Sequence, residues 1–265
     1  MPSLTTAAAS TPFVTRSDEG GVATLTLDRG ERFNPLSLEM IAALEVALDE
    51  VGADPAARVV VLAGAGRGFC AGHDLKEMRA HSADPAWQTR LFADCSRMML
   101  KITEIPQPVI ARVHGIATAA GCQLVSMCDL AVAGEEARFA LPGVNVGVFC
   151  STPAVGVARN IGRKRAMELL LTGEMVDART ALSWGLVNRV VATAELDAEI
   201  ARLTSLIAAR SGAVVARGKR AFYRQIDQPI AGAYEMTNQP MAESVLEPEA
   251  SEGIDAFLGK RPARW

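Results

Sequence analysis

The run RVVVLAGAG, Arg58–Gly66, constrains the fold more than any other stretch. It is apolar without alternation and ends in glycines, the pattern of a short strand buried on both faces. Such a strand needs helices above and below its sheet. The rest of the sequence supplies both kinds of element. GVATLTLDR (Gly21–Arg29) alternates as a strand does, and PVIARVHG (Pro108–Gly115) and RFAL (Arg138–Leu141) read as further strands. After the Asn34-Pro35 break, Ser37 is placed to cap a helix whose Met40, Ile41, Leu44, Ala47, Leu48 and Val51 recur at helical spacing. A second helix is predicted over Pro85–Glu104 with Leu91, Cys95, Met98 and Ile102 facing inward, and TAAGCQLVSMCDLAVA (Thr118–Ala133) gives a buried helix and then a strand. This alternation predicts an α/β core. From Thr193 onward strand signals cease, and Leu203, Ile207, Val214, Val215, Phe222, Ile226 and Phe257 punctuate helical segments. The expected division is a floppy tail at residues 1–11, a core over 12–192 and a helical region over 193–265.

Several functions are disfavoured. A net charge of −3 provides no basic field for nucleic acid. The longest apolar candidate for a membrane span, Gly115–Ala133, is interrupted by Gln123, Ser126 and Asp129, so no membrane segment is expected. Five scattered cysteines without a C-x-x-C pair, and three histidines, give little support to a metal site. Buried free thiols fit a reducing compartment. The first eleven residues carry no Lys or Arg, against a signal peptide or an Arg-rich presequence. The expected location is therefore the cytoplasm.

Two glycine-bearing segments carry the chemistry. GAGRG (Gly64–Gly68) follows a strand, but Phe69 stands where a dinucleotide fingerprint needs its third glycine, so a tight turn is the better reading. In FCAGHDLKEM (Phe69–Met78) the glycine permits close backbone approach, and amides after the turn can face a cleft. Ala119, Ala120 and Gly121 lead into a helix, whose first N–H groups are unpaired and lie at the positive end of its dipole. One amide from each segment can bind a single oxygen as charge develops on it.

FCAGHDLKEM and HGIATAAGCQLVSMCDLAVA resemble the two signature segments of the enoyl-CoA hydratase/isomerase, or crotonase, superfamily. RFNPLS (Arg32–Ser37), LTGEMVDARTALSWGLVNRVV (Leu171–Val191) and GIDAFLGKR (Gly253–Arg261) resemble its other motifs, in the right order. AGHDLKE, ATAAGCQL and PGVNVGVFCSTP point to a single subgroup within it. The resemblance implies a crotonase-type ββα spiral core with a helical C-terminal trimerisation region, assembling as a homotrimer or hexamer. It implies an acyl-CoA thioester as ligand and no cofactor besides the CoA that belongs to the substrate. Matched by motif, the oxyanion amides are those of His73 and Ala120. The family's two catalytic glutamates fall at Gln123 and Gly143, so both carboxylates are absent. An amide orients water but takes no proton near neutral pH, and each general acid–base group contributes ~10²–10⁴-fold, so hydration is expected to be weak or absent. A non-catalytic acyl-CoA binder and a thioester hydrolase or isomerase are the alternatives. For substrate and CoA contacts the expected residues are Arg29, Arg32, Ala71, Asp74, Leu75, Asn145 and Ser151, with Phe257 at the acyl end and Lys260 reaching CoA across a subunit interface. Asp74 and Asp129 also read as turn and helix-end residues.

Overall fold

The computed structural model describes residues 11–265, so the tail expectation lies, Thr11 apart, outside the described residues. Gly20 and Gly21 take φ of +58° and +82°, the paired positive values of a two-residue hairpin turn. They join β1 (Val14–Glu19) to β2 (Val22–Leu27), antiparallel, with Val14 opposite Leu27. Ser37 then accepts a hydrogen bond from the Met40 N–H and opens α1 (Leu38–Gly52). In order there follow β3 (Val59–Gly64), α2 (Leu75–Ala80), α3 (Pro85–Glu104), β4 (Val109–Val113), β5 (Ile116–Thr118) and α4 (Ala120–Met127). Next come β6 (Leu130–Gly134), β7 (Arg138–Ala140), α5 (Ser151–Ile161), α6 (Arg163–Thr172), β8 (Val176–Asp177), α7 (Ala178–Trp184) and β9 (Arg189–Val191). Four helices close the chain: α8 (Leu196–Ala208), α9 (Gly212–Gln225), α10 (Ile230–Val245) and α11 (Pro248–Leu258).

Six strands form the main sheet in the order β1-β2-β3-β4-β6-β9, parallel after the opening hairpin. Its two faces explain the unbroken apolar run of β3. Val60 and Leu62 join the main core with Leu44, Leu48, Met98 and Leu124. Val59 and Val61 point the other way, toward Ile110, Val132 and Leu196, Ile200 and Leu203 of α8. A second sheet, β5-β7-β8, is small: Ile116 pairs with Arg138 in parallel, and Phe139 with Val176 antiparallel. The glycine-rich turn after β3 leads to no helix before Leu75, which leaves a dinucleotide site without its helix.

α9 is fastened to the floor of the core by one buried cation. Lys219 Nζ donates to the carbonyls of Ile102 (2.8 Å) and Gln107 (2.9 Å) and lies 2.7 Å from Asp129 Oδ2. One turn further on, the Tyr223 hydroxyl donates to Asp129 Oδ1 at 2.8 Å, and the Val109 N–H donates to Oδ2 at 2.7 Å. Asp129 thus sits between α4 and β6 and receives three donors. Beyond this clamp α9 and α10 bury no residue, and Ile230, Tyr234, Leu246 and Phe257 are more than half exposed. Among the described residues no helix is long and apolar enough to cross a membrane.

Candidate active site

The two glycine-bearing segments lie backbone against backbone. Gly72 has φ +94°, and a Cβ there would stand 2.8 Å from Ala119 Cβ and 3.2 Å from Ala120 N. A Cβ on Gly121 would collide with the Cys70 carbonyl. Glycine is required at both places because the chains touch. Ala119 bears the strain of the turn into α4, with φ +50° and ψ −119°, backbone that a side chain disfavours.

This contact leaves two amides unused. Leu36 pairs with His73 in a parallel bridge. The Leu36 N–H donates to Gly72 O (2.8 Å) and the Asp74 N–H to Leu36 O (3.3 Å), so the N–H of His73 points away from the bridge. Ala120 is the first residue of α4, and its N–H precedes the first helical bond, from Gln123 N–H to Ala119 O. Neither amide has a hydrogen-bond acceptor among the described residues.

Beside them opens a cavity of 390 Å³, within the range of small-molecule sites. Six of the expected residues line it: Ala71, His73, Leu75, Gly143, Asn145 and Ser151. Ala119 carries the second segment to its wall. Gln123, one turn into α4, is 4% exposed and is not among the lining residues. Its Oε1 is buried with no partner. His73 packs edge-on to Phe92 at 5.2 Å between ring centroids, and its Nε2 is likewise buried and unpartnered. Burial lowers the His73 imidazole to about 4, so it is neutral at pH 7 and a weak base. Burial raises the Cys150 thiol, which also stays neutral. No Asp, Glu, Lys or Arg lines the cavity.

Other expected residues lie elsewhere. Asp74 caps α2, accepting from the Lys76 N–H at 2.9 Å, and pairs with Arg32 at 2.5 Å. Its carboxylate is held by the protein, the turn role that the sequence also offered for it. Arg32 is half exposed and reaches Asp74, which stands between the lining residues His73 and Leu75. Arg29 donates to the carbonyls of Thr11, Pro12 and Asp28 and packs 3.9 Å over the Phe13 ring. Its guanidinium ties down the start of the described chain. Phe257, near the end of α11, and Lys260, just past it, are exposed and do not line this cavity. Sequence reasoning missed Met78, Phe92, Val148 and Phe149, all in the lining. Phe92 was the most accessible to inference, being an aromatic beside the inward stripe of α3.

Gly143 is glycine for a spatial reason. A Cβ there would collide with the Val148 carbonyl and stand 2.8 Å from Cys150 Sγ. The loop after the short turn Pro142–Val146 folds back onto this position and fills the place of a side chain.

Comparison with known proteins agrees with this architecture. The profile of the family described as enoyl-CoA hydratase/isomerase matches residues 17–265. A Xenopus laevis protein named enoyl-CoA hydratase domain-containing protein 3, mitochondrial, is 41% identical over 96% of this chain and 86% of its own length. The crystal structure of a Mycobacterium smegmatis enoyl-CoA hydratase superposes with a TM-score of 0.93 at 54% identity, covering 96% of this chain and 99% of that one. Human enoyl-CoA hydratase domain-containing protein 3 superposes at 0.92 with 41% identity, covering 96% and 100%. The subgroup resemblance of AGHDLKE, ATAAGCQL and PGVNVGVFCSTP is thereby borne out, as is the crotonase-type fold. The cytoplasmic expectation is corrected: the Xenopus and human relatives are both named mitochondrial. Free buried thiols indicate reducing surroundings without choosing among reducing compartments. With its profile matched from residue 17 to the last residue, and with relatives above 40% identity across nearly its whole length, this chain belongs to the enoyl-CoA hydratase/isomerase family.

Proposed function

We propose that the chain binds an acyl-CoA thioester with its carbonyl oxygen between the N–H groups of His73 and Ala120, and that it hydrates enoyl-CoA weakly or not at all. The observation that carries this reading is a pair of unused amides, on abutting segments, beside a cavity without a carboxylate. Two amides favour an enolate oxygen over a neutral carbonyl, so they retain differential stabilisation of a charged intermediate. What is missing is proton transfer. Gln123 is uncharged, Gly143 has no side chain, and the neutral His73 is a poor base at pH 7. Arg32 at the entry, and Lys260 of a neighbouring subunit, are the residues proposed for the CoA phosphates. The C-terminal helices are proposed to close a trimer, alone or stacked as a hexamer. Binding without turnover is the second reading, favoured by the charge-free lining.

Crotonyl-CoA tests both. The wild type should bind it and hydrate it slowly. Gln123→Glu should raise the rate, on the order of tenfold or more, because one acid–base group is restored. Gly143→Glu is the wrong complement, since its Cβ meets the Val148 carbonyl. Wild-type hydration at the rate of an efficient family member would overturn the proposal. Binding with no turnover in either form would support the binder, and release of free CoA would indicate thioester hydrolysis.

A further inference from the structure

The place of the missing side chain at 143 is taken by a sulfur. A Cβ on Gly143 would lie 2.8 Å from Cys150 Sγ, so the thiol fills space that a side chain there would enter. Cys150 lines the same cavity as His73 and Ala119, and as the residue that opens α5 it sits at the positive end of that helix. Burial raises the thiol, and a hydrogen bond from the Gly143 backbone opposes the shift. It rests as S–H at pH 7. The titratable groups around it are His73, at about 4, and Cys122 of α4, at about 12, so neither changes charge from neutral pH upward to the thiol's own range. The hydroxyls of Ser151 and Thr152 also line the cavity, but a hydroxyl holds its proton far more tightly than a thiol. Among the lining side chains, Cys150 is the one whose proton can leave and return in mildly alkaline water.

We infer that Cys150 is the proton-transfer group at the acyl α-carbon, and that the site enolises acyl-CoA thioesters. The inference rests on the acyl-CoA reading and adds a residue and an activity to it. In the thiolate form, Sγ takes a proton from Cα. The S–H bond forms, the Cα–H bond breaks, and its electron pair passes to the thioester oxygen between the N–H groups of His73 and Ala120. In reverse the thiol returns a proton to Cα, and because S–H exchanges with water, that proton comes from solvent. Hydration needs a second group, a base that activates water at Cβ, and the amide of Gln123 is not one. The thiol therefore supplies the α-carbon half of the chemistry alone, which leaves hydration slow and α-proton exchange possible.

The test is deuterium uptake by butyryl-CoA, which has no double bond to hydrate, incubated with the protein in D2O and followed by mass spectrometry against a protein-free control. Wild-type protein should deuterate Cα above the control, at a rate rising about tenfold per pH unit between pH 7 and pH 8.5, as the thiolate fraction does. Cys150→Ser and Cys150→Ala should each lower that exchange by about 100-fold or more, with the calorimetric affinity for butyryl-CoA unchanged. A purely structural role for the thiol would move neither the exchange at constant affinity nor its pH profile. Uptake no faster than the control, by a protein that binds butyryl-CoA, overturns the inference and leaves the acyl-CoA reading intact. So does wild-type exchange in either variant, or a wild-type rate above the control that is flat with pH. A protein that does not bind butyryl-CoA loses the acyl-CoA reading, and this inference with it.

Discussion

A neutral imidazole held inside the protein makes stability depend on pH in a known direction. His73 has a folded value of about 4 against an ordinary 6.5, because burial disfavours the cation. As pH falls below 6.5 the unfolded chain takes the proton first, so stability is lost between 6.5 and about 4, and nothing changes above 6.5. The full loss is on the order of 3 kcal/mol. His73→Phe keeps the backbone amide and removes the titration. In urea unfolding at pH 7 and at pH 4.5, the wild type should lose about 2 kcal/mol more than the variant; equal losses would place the ring in contact with water. Gly143→Ala is a second residue-scale prediction. Its Cβ forces the Val148 carbonyl aside, so thermal unfolding should report a cost of about 1–3 kcal/mol. An amide at 123 and a glycine at 143 could be read directly from the sequence. The reason for glycine at 143 could not, because the carbonyl that forbids a side chain comes from a loop that folds back. The contacts of Arg29 were equally illegible: a basic residue looks alike in sequence whether or not its own chain engages it.

At the scale of elements, the clamp on α9 is the least redundant contact. Lys219 satisfies two carbonyls and one carboxylate with three donors, and burial lowers its pKa while Asp129 opposes the shift. Lys219→Met leaves Asp129 partly buried without its cation, a change that costs about 3–5 kcal/mol in comparable pairs. Hydrogen exchange should show α9 and α10 opening well before β3 and β4; uniform exchange across both would refute the clamp. Elements with local signals were legible. α3 runs from Pro85 to Glu104 as predicted, because Asp84 caps it, Pro85 suits its first turn, and its stripe is regular. β1 was not seen, since VTRSDE is largely polar and is held by the Gly20–Gly21 turn and its partner. β5, β8 and β9 have three residues or fewer and owe their existence to neighbours remote in sequence. Nothing in VARGKRAFY marks which of its basic residues is buried.

The whole molecule carries an unpaired apolar surface. Ile230, Tyr234, Leu246 and Phe257 lie on helices that give the core almost nothing. Light scattering should therefore report a closed trimer or its double, and Leu246→Glu should shift it toward monomer. A wild-type monomer at micromolar concentration would contradict the assembly. The order of motifs along the chain made the fold class readable, while compartment was not, since no folded feature encodes it. The interior also holds a means of timing its own disruption. All five thiols are free and buried, on the loop between β3 and α2, on α3, on α4, at the end of α4 and at the start of α5. Burial raises Cys70, Cys95 and Cys122 to about 12, so each is both hidden and protonated while the chain is folded. An alkylating reagent would thus count openings instead of surfaces. The sequence in which the five become labelled would separate loosening of the cavity, at Cys150, from release of the α9 clamp beside Cys128, with no introduced probe.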